Sequence, residues 1–209
     1  MGHSRAEKAE THEKIVALAS KRFREKGLAG IAIAELMKEA GLTVGGFYKH
    51  FGSRDELVAE AVGSALGGWK RKLNAAAAGG PSVTYPSLVN DYLSEAHRDR
   101  PGTGCPVSAL AGEIARTEKR TRALVTQEAK DSIALLTKLI GKKDGARSQA
   151  ILTYCALVGA ISMARAVSDQ QLSREILKTV AAQLKKTDSK NSKARVSDHA
   201  GVPPLRERG

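Results

Sequence analysis

Residues 40–51, Ala-Gly-Leu-Thr-Val-Gly-Gly-Phe-Tyr-Lys-His-Phe, constrain this chain more than any other stretch. Gly41 follows an apolar-periodic segment, where a helix has to stop in a left-handed conformation that glycine adopts cheaply. Thr43 stands where a hydroxyl can accept from the free amides that open the next helix. Within that short helix Val44, Phe47 and Phe51 fall at i, i+3 and i+7. The spacing buries them together and turns Thr43, Gly46, Lys49 and His50 outward. The outward set carries donors and no acid. Helix, tight turn and second helix with such a face form the pattern of a helix-turn-helix, whose second helix enters the major groove of double-stranded DNA.

The flanks extend this unit. Ile15, Leu18, Ala19 and Phe23 predict a helix over about 6–26 that Gly27 ends, and Ile33, Leu36, Met37 and Ala40 predict another over about 33–40. Ala32 offers that second helix no capping oxygen. Ser53 and Glu56 have the spacing of a capping box and start a fourth helix with Leu57, Val58, Ala61, Val62 and Leu66, running toward Trp69 and Leu73. It joins the head to the rest of the chain. Gly79, Gly80 and Pro81 interrupt, and Pro86 opens a helix through about Arg98. After a loop over 99–104, Val107, Leu110, Ala111 and Ile114 keep the helical period. Further helices are predicted over about 118–140, 146–167 and 172–186, the last presenting Leu172, Ile176, Val180 and Leu184. No internal repeat or strand pattern persists. The expectation is an all-α fold: a three-helix helix-turn-helix head over 1–52, a helical ligand-binding and dimerisation bundle over 53–186, and a disordered tail over 187–209, which is polar and poor in large apolar residues.

Gly41, Gly45, Tyr48, His50 and Phe51, followed by Gly-Ser-Arg-Asp-Glu-Leu at 52–57, resemble the Gly-x-x-x-Gly-x-x-Tyr-x-His-Phe run of the TetR family of bacterial regulators. The close match covers the first quarter of the chain. The resemblance implies phosphate contacts by Tyr48, His50 and Arg54, with Lys49 between them in a slot that varies within the family, and Thr43 on the same face. Two departures stand out. The family's Thr or Ser opening the helix before the turn is replaced by Ala32, which removes a cap and a phosphate contact. Val44 and Gly46 offer no hydrogen bond to a base edge, which shifts discrimination toward DNA shape and phosphate positioning. The resemblance further implies a cytoplasmic homodimeric repressor on a palindromic operator, released by a small-molecule inducer or by thiol modification. Its last two helices would pair with those of a second subunit, which points to Leu157, Ile161, Ile176, Val180 and Leu184 as dimerisation residues. Packing within one subunit would produce the same apolar pattern.

The formal charge of +12 suits a polyanionic partner but does not locate the site, because residues 1–60 hold ten bases against nine acids and the excess lies mainly over 119–186, thirteen against five. No apolar signal segment opens the chain. The apolar run 150–167 is short for a bilayer and contains Arg165, so no membrane partner is expected. Two cysteines without a paired framework fit a reducing cytoplasm.

Outside the head, Cys105 precedes Pro106 and so stands at a helix N-cap, where the helix dipole lowers a thiol's pKa. Some TetR-like sensors of oxidants or electrophiles look similar in having a Gly-Cys pair there. The alternative is a small buried cysteine without chemistry, which is also the reading of Cys155. Tyr92, His97, Cys105 and Met163 are candidate ligand-binding residues, with Tyr85 and Trp69 as further candidate walls; core packing or, for His97, a helix end accounts for them equally. The five histidines have no metal-ligand spacing, and no phosphate loop, dinucleotide fingerprint or nucleophile motif appears, so neither metal nor cofactor nor catalysis is expected. Two other readings stay open: an effector-independent architectural DNA binder, and a thiol-dependent enzyme built on Cys105.

Overall fold

The computed structural model describes residues 5–78, 83–141 and 144–198, with side chains over 5–71, 83–141 and 144–186. All regular structure among them is helical: α1 (Arg5–Lys26), α2 (Ile33–Glu39), a 3-10 helix (Val44–Lys49), α3 (Arg54–Ala78), α4 (Tyr85–Tyr92), α5 (Glu95–Asp99), a 3-10 turn (Pro101–Thr103), α6 (Pro106–Ile114), α7 (Lys119–Ile140), α8 (Ala146–Ala166) and α9 (Gln170–Asp198). The first two helices and the 3-10 helix close around Ile15, Ala19, Phe23, Leu36, Met37, Phe47 and Phe51, none more than 1% exposed. Gly41 takes φ 78° and ends α2, and the Leu42 amide donates back to the Met37 carbonyl at 2.8 Å.

The second helix of the motif departs from its expected form. It winds as a 3-10 helix, since Gly45 and Gly46 carry no side chains and have little helix propensity. Thr43 makes no side-chain cap; its carbonyl accepts from the Gly46 amide at 3.0 Å instead. Val44 is 49% exposed rather than buried with Phe47 and Phe51, and the two glycines beside it have no side chains to cover it. The start of α3 forms half of its expected box: Ser53 Oγ accepts from the Glu56 amide at 3.1 Å, but the Glu56 carboxylate reaches past Ser53 and accepts from the Gly52 amide at 2.6 Å.

Helix α3 runs from the head into the body, packed on α1 and α7, while α8 lies against both α7 and α9. Leu136, Ile140, Ala150, Leu157, Ala160, Ile161, Leu177 and Leu184 fill that bundle. The single helix expected from Pro86 to Arg98 divides at Leu93, because Ser94 caps a new helix by accepting from the His97 amide at 3.2 Å. Helix α9 continues to Asp198, through the first part of the tail expected over 187–209; the remainder of that tail, 199–209, lies outside the described residues. Helix α8 is long and apolar enough by composition to cross a membrane. Here it packs between its neighbours, and Arg165 near its end donates to the carbonyls of His97 and Arg98 at 2.7 and 2.9 Å.

Three of the expected dimer residues are not on the surface of the subunit. Leu157, Ile161 and Leu184 are 2%, 0% and 6% exposed, buried where α8 and α9 face the body; Ile176 and Val180 are half-buried against the same core. A helix with one apolar stripe turns that stripe inward first. The apolar face left open on α8 carries Leu152, Cys155 and Met163, with Leu172 open on α9.

The loop between α1 and α2 is held from the body. The Glu113 carboxylate on α6 accepts from the amides of Leu28 and Ala29 at 2.8 and 3.4 Å, and Arg54 on α3 donates to the carbonyls of Leu28 and Ile31. Gly27, at φ 82°, lies so close to Glu113 that a Cβ would meet its carboxylate at 2.9 Å. Glu113→Ala is expected to lower the stability of the head by roughly 1–3 kcal/mol through the amides it leaves unmet, read as loss of hydrogen-exchange protection over 27–40 with the body retained.

Candidate functional site

A cleft on the head runs between the first turns of α1 and the 3-10 helix, lined by Lys8, Thr11, Gly41, Thr43, Lys49 and His50 among others. Tyr48 projects beside it, 71% exposed, its ring edge-on to Phe47 at 5.2 Å. Lys49 is exposed and His50 half-buried. The His50 Nδ1 has no hydrogen-bond partner, and its ring lies 5.9 Å from that of His12, which stacks on Phe51 and meets the Glu60 carboxylate at 2.7 Å. Burial, then the positive neighbours His12, Lys8 and Lys49, hold the His50 pKa below its ordinary value. The structure therefore brings Thr43, Lys49 and His50 to one cleft, which Glu7 also lines, and leaves Tyr48 exposed next to Lys49 in the chain. Lys8, Thr11 and His12 were not read as part of it, because a charged, amphipathic helix start looks like any solvated surface until the fold sets it against the motif.

Arg54 is not brought there. It lines a different cleft, with Leu28, Ala29, Asp55, Glu113 and Arg116, and its guanidinium lies 5.8 Å from the Phe23 ring while it donates to the α1–α2 loop. Its position opening α3 is as expected. Its side chain turns toward the junction of head and body, where two carbonyls and an aromatic face satisfy it.

The second site is a small cavity in the body, lined by Trp69 of α3, Leu88 and Tyr92 of α4, Cys105, Ser132, Leu135 and Leu136 of α7, and Tyr154 and Leu157 of α8. Two of the expected ligand residues, Tyr92 and Cys105, meet there. Met163 does not: it stands 55% exposed on the outer face of α8. Tyr85 lies elsewhere in the core, its hydroxyl 2.9 Å from that of Thr153. His97 is buried and holds the wall together. Its Nδ1 meets the Tyr92 carbonyl at 2.6 Å and its Nε2 accepts from the Cys105 amide at 2.9 Å. The carbonyl needs a donor and the amide an acceptor, which assigns the proton to Nδ1 and the lone pair to Nε2. The ring also stacks on Trp69 at 5.2 Å and stands edge-on to Tyr92 at 4.7 Å.

Cys105 occupies the N-cap of α6 as expected, but its thiol is buried and makes no cap. Burial pushes its pKa up, against the smaller opposing pulls of the Tyr92 hydroxyl and the backbone of Ser108 and Val107. This reverses the expected direction. Gly104 explains the Gly-Cys pair sterically, since a Cβ there would meet the His97 ring at 2.7 Å. The same loop touches the head: Arg24 of α1 donates to the Gly104 carbonyl at 3.1 Å. Helix α6 thus begins at the cavity with Cys105 and ends near the α1–α2 loop with Glu113. Among the described residues no three His, Cys, Asp or Glu side chains form a metal site.

Gly104→Ala is expected to displace His97 and open the Cys105 wall. In the intact protein Cys105 should then react with a neutral maleimide several times faster than in the unmodified chain, as read by mass spectrometry of the Cys105 peptide.

Residues 15–61 match the model for bacterial regulatory proteins of the tetR family. An uncharacterised HTH-type transcriptional regulator of Mycobacterium tuberculosis is 28% identical over 167 residues, covering 75% of this chain and 85% of its own length. The HTH-type transcriptional repressor NemR of Escherichia coli is 23% identical over 149 residues, 70% of this chain and 73% of its own. The crystal structure of its reduced form superposes with a TM-score of 0.70 at 21% identity, covering 85% of this chain and 96% of that one. A TetR regulator from Chloroflexus aurantiacus also reaches 0.70, at 24% identity, over 85% and 96% of the two chains. At these identities the superpositions establish the fold. The family match falls on the same segment that builds the basic cleft of the head, and it places the head of this chain with the bacterial regulatory proteins of the tetR family.

Proposed function

We propose that the protein is a homodimeric repressor that binds a palindromic operator through Thr43, Tyr48, Lys49 and His50, with Lys8 and Thr11, and is released by an inducer in the body cavity or by modification of the thiol that lines it. The observation that carries the reading is the path of α6. One helix carries both a wall of the cavity and the carboxylate that holds the α1–α2 loop, so displacing its start shifts the support of the reading head. An architectural binder would have no use for that connection. Retention of genomic fragments by the purified protein, followed by their sequencing, tests the proposal; recovery without sequence preference would favour the architectural reading.

Two clusters of substitutions define the DNA face and the subunit interface. Lys49→Ala should weaken binding and reduce the salt slope by about 0.9, the share of one phosphate. Arg54→Ala should leave that slope unchanged and lower thermal stability. Because His50 is held below its ordinary pKa in the free protein, it is mainly uncharged at neutral pH, and a phosphate would draw its proton back. Binding should therefore tighten as the pH falls from about 8 toward 6 in the wild type and lose that dependence in His50→Gln, as measured by equilibrium titration at fixed salt.

The open face of α8 and α9 is the surface we assign to the partner subunit, with Leu152, Met163 and Leu172 in place of the buried Leu157, Ile161 and Leu184. Met163→Glu should shift the protein toward monomer in sedimentation while preserving its melting temperature. Leu184→Glu should instead unfold the subunit, because its side chain is already inside. Cys105→Ser separates the two release routes: it should abolish release by peroxide or an electrophile and leave release by a noncovalent inducer intact.

A further inference from the structure

We infer that the cavity between α3, α4, α7 and α8 binds a compact, uncharged molecule through a carbonyl-type oxygen that accepts from the hydroxyls of Tyr92 and Tyr154. The inference rests on the regulator reading and names the class of effector that would fit it. Both tyrosines line the cavity, and both hydroxyl oxygens are buried without a hydrogen-bond partner of normal geometry, the Tyr92 hydroxyl lying only close enough to the Cys105 thiol and the Ser108 side chain to feel both. A buried hydroxyl is seldom left unmet in a native fold, and two on side chains that line one cavity can share a partner. Burial raises the pKa of both phenols, so each keeps its proton and has a hydrogen to donate. The complementary group is therefore an acceptor. A carbonyl oxygen has two lone pairs, one for each phenol.

The remaining lining decides charge and size. Trp69, Leu88, Leu135, Leu136 and Leu157 make it almost wholly apolar, and no lysine or arginine lines it, so an anion would find no counter-charge. Glu128, one turn before Ser132 on α7 and hydrogen-bonded to it at 2.9 Å, adds an acid close by. Its own pKa is raised by burial, and its charge opposes ionisation of both Tyr154 and Cys105. A carboxylate or phosphate guest is disfavoured twice. The cavity is only about 30 Å³, so a guest of more than a few heavy atoms has to part the walls. The wall that Cys105 forms is the start of α6, which gives the guest a mechanical connection to the head.

Trp69 is the only tryptophan in the chain and lines this cavity, so its emission reports occupancy directly. Cyclohexanone, titrated into the full-length protein, is expected to shift that emission saturably, while cyclohexanecarboxylate of similar size binds at least tenfold more weakly. Tyr92→Phe and Tyr154→Phe should each weaken cyclohexanone by roughly threefold to tenfold, the range of one neutral hydrogen bond. Both variants should melt at or above the temperature of the wild type, since each removes an unmet hydroxyl rather than a used one. Equal affinity for the carboxylate, unchanged affinity in the double Tyr92→Phe/Tyr154→Phe variant, or no saturable shift up to the solubility of cyclohexanone would overturn the inference. So would a clear loss of melting temperature in both single variants, which would mean that the fold already satisfies the hydroxyls. DNA retention by the same unliganded proteins is a separate readout: its absence would count against the regulator reading and leave ligand recognition standing.

Discussion

The head depends on how the loop between α1 and α2 is held. Its amides and carbonyls belong to neither helix, and a loop leaving them unmet would carry a desolvation cost for each. Glu113 takes the amides of Leu28 and Ala29, and Arg54 gives to the carbonyls of Leu28 and Ile31. One support comes from α6 and the other from α3, so the geometry of the reading head is set partly by the body. This also answers the missing cap of α2. Ala32 provides no side-chain oxygen, and the loop before it is fixed by long-range contacts instead. Gly27 is required on two counts, by its positive φ and by the approach of Glu113.

Much of this architecture could be read from residue spacing. Apolar residues at helical intervals placed α1, α2, α7 and α8 to within a residue of their ends, and glycines marked the stops at Gly27 and Gly41, both at positive φ. What spacing leaves undecided has a common cause. Spacing says that a stripe is apolar but not what it packs against, so Leu157, Ile161 and Leu184 read equally well as a subunit interface or as core. It also says that Arg54 opens a helix, which suits a phosphate or a neighbouring loop alike. Lys8, Thr11 and His12 were invisible for the converse reason: nothing on α1 alone announces that its first turns meet the recognition element.

The pKa of Cys105 shows how two correct local arguments can be ranked only by burial. An N-cap position favours the thiolate by a helix-end interaction worth about 0.3–1 kcal/mol in exposed settings. Removing a charge from water costs several kcal/mol per ion. Sequence reveals the first effect and hides the second, and with the thiol 3% exposed the second dominates. Gly104 and His97 are what put it there. The ring needs the space that glycine leaves, and its Nε2 takes the Cys105 amide.

The same burial changes what reactivity at Cys105 would have to mean. A buried thiol with a raised pKa reacts slowly as it stands, so modification requires either that the His97–Gly104 wall opens or that the reagent first occupies the cavity it faces. On the reading proposed, either event would displace the start of α6. Binding and chemistry would then act on the head through one motion, the covalent step fixing in place a displacement that occupancy had already produced. On the reading proposed, a sensor so built would respond to molecules that fit the cavity lined by Tyr92 and Tyr154 before it responded to thiol reactivity in general, and its selectivity would reside in the cavity rather than in the sulfur.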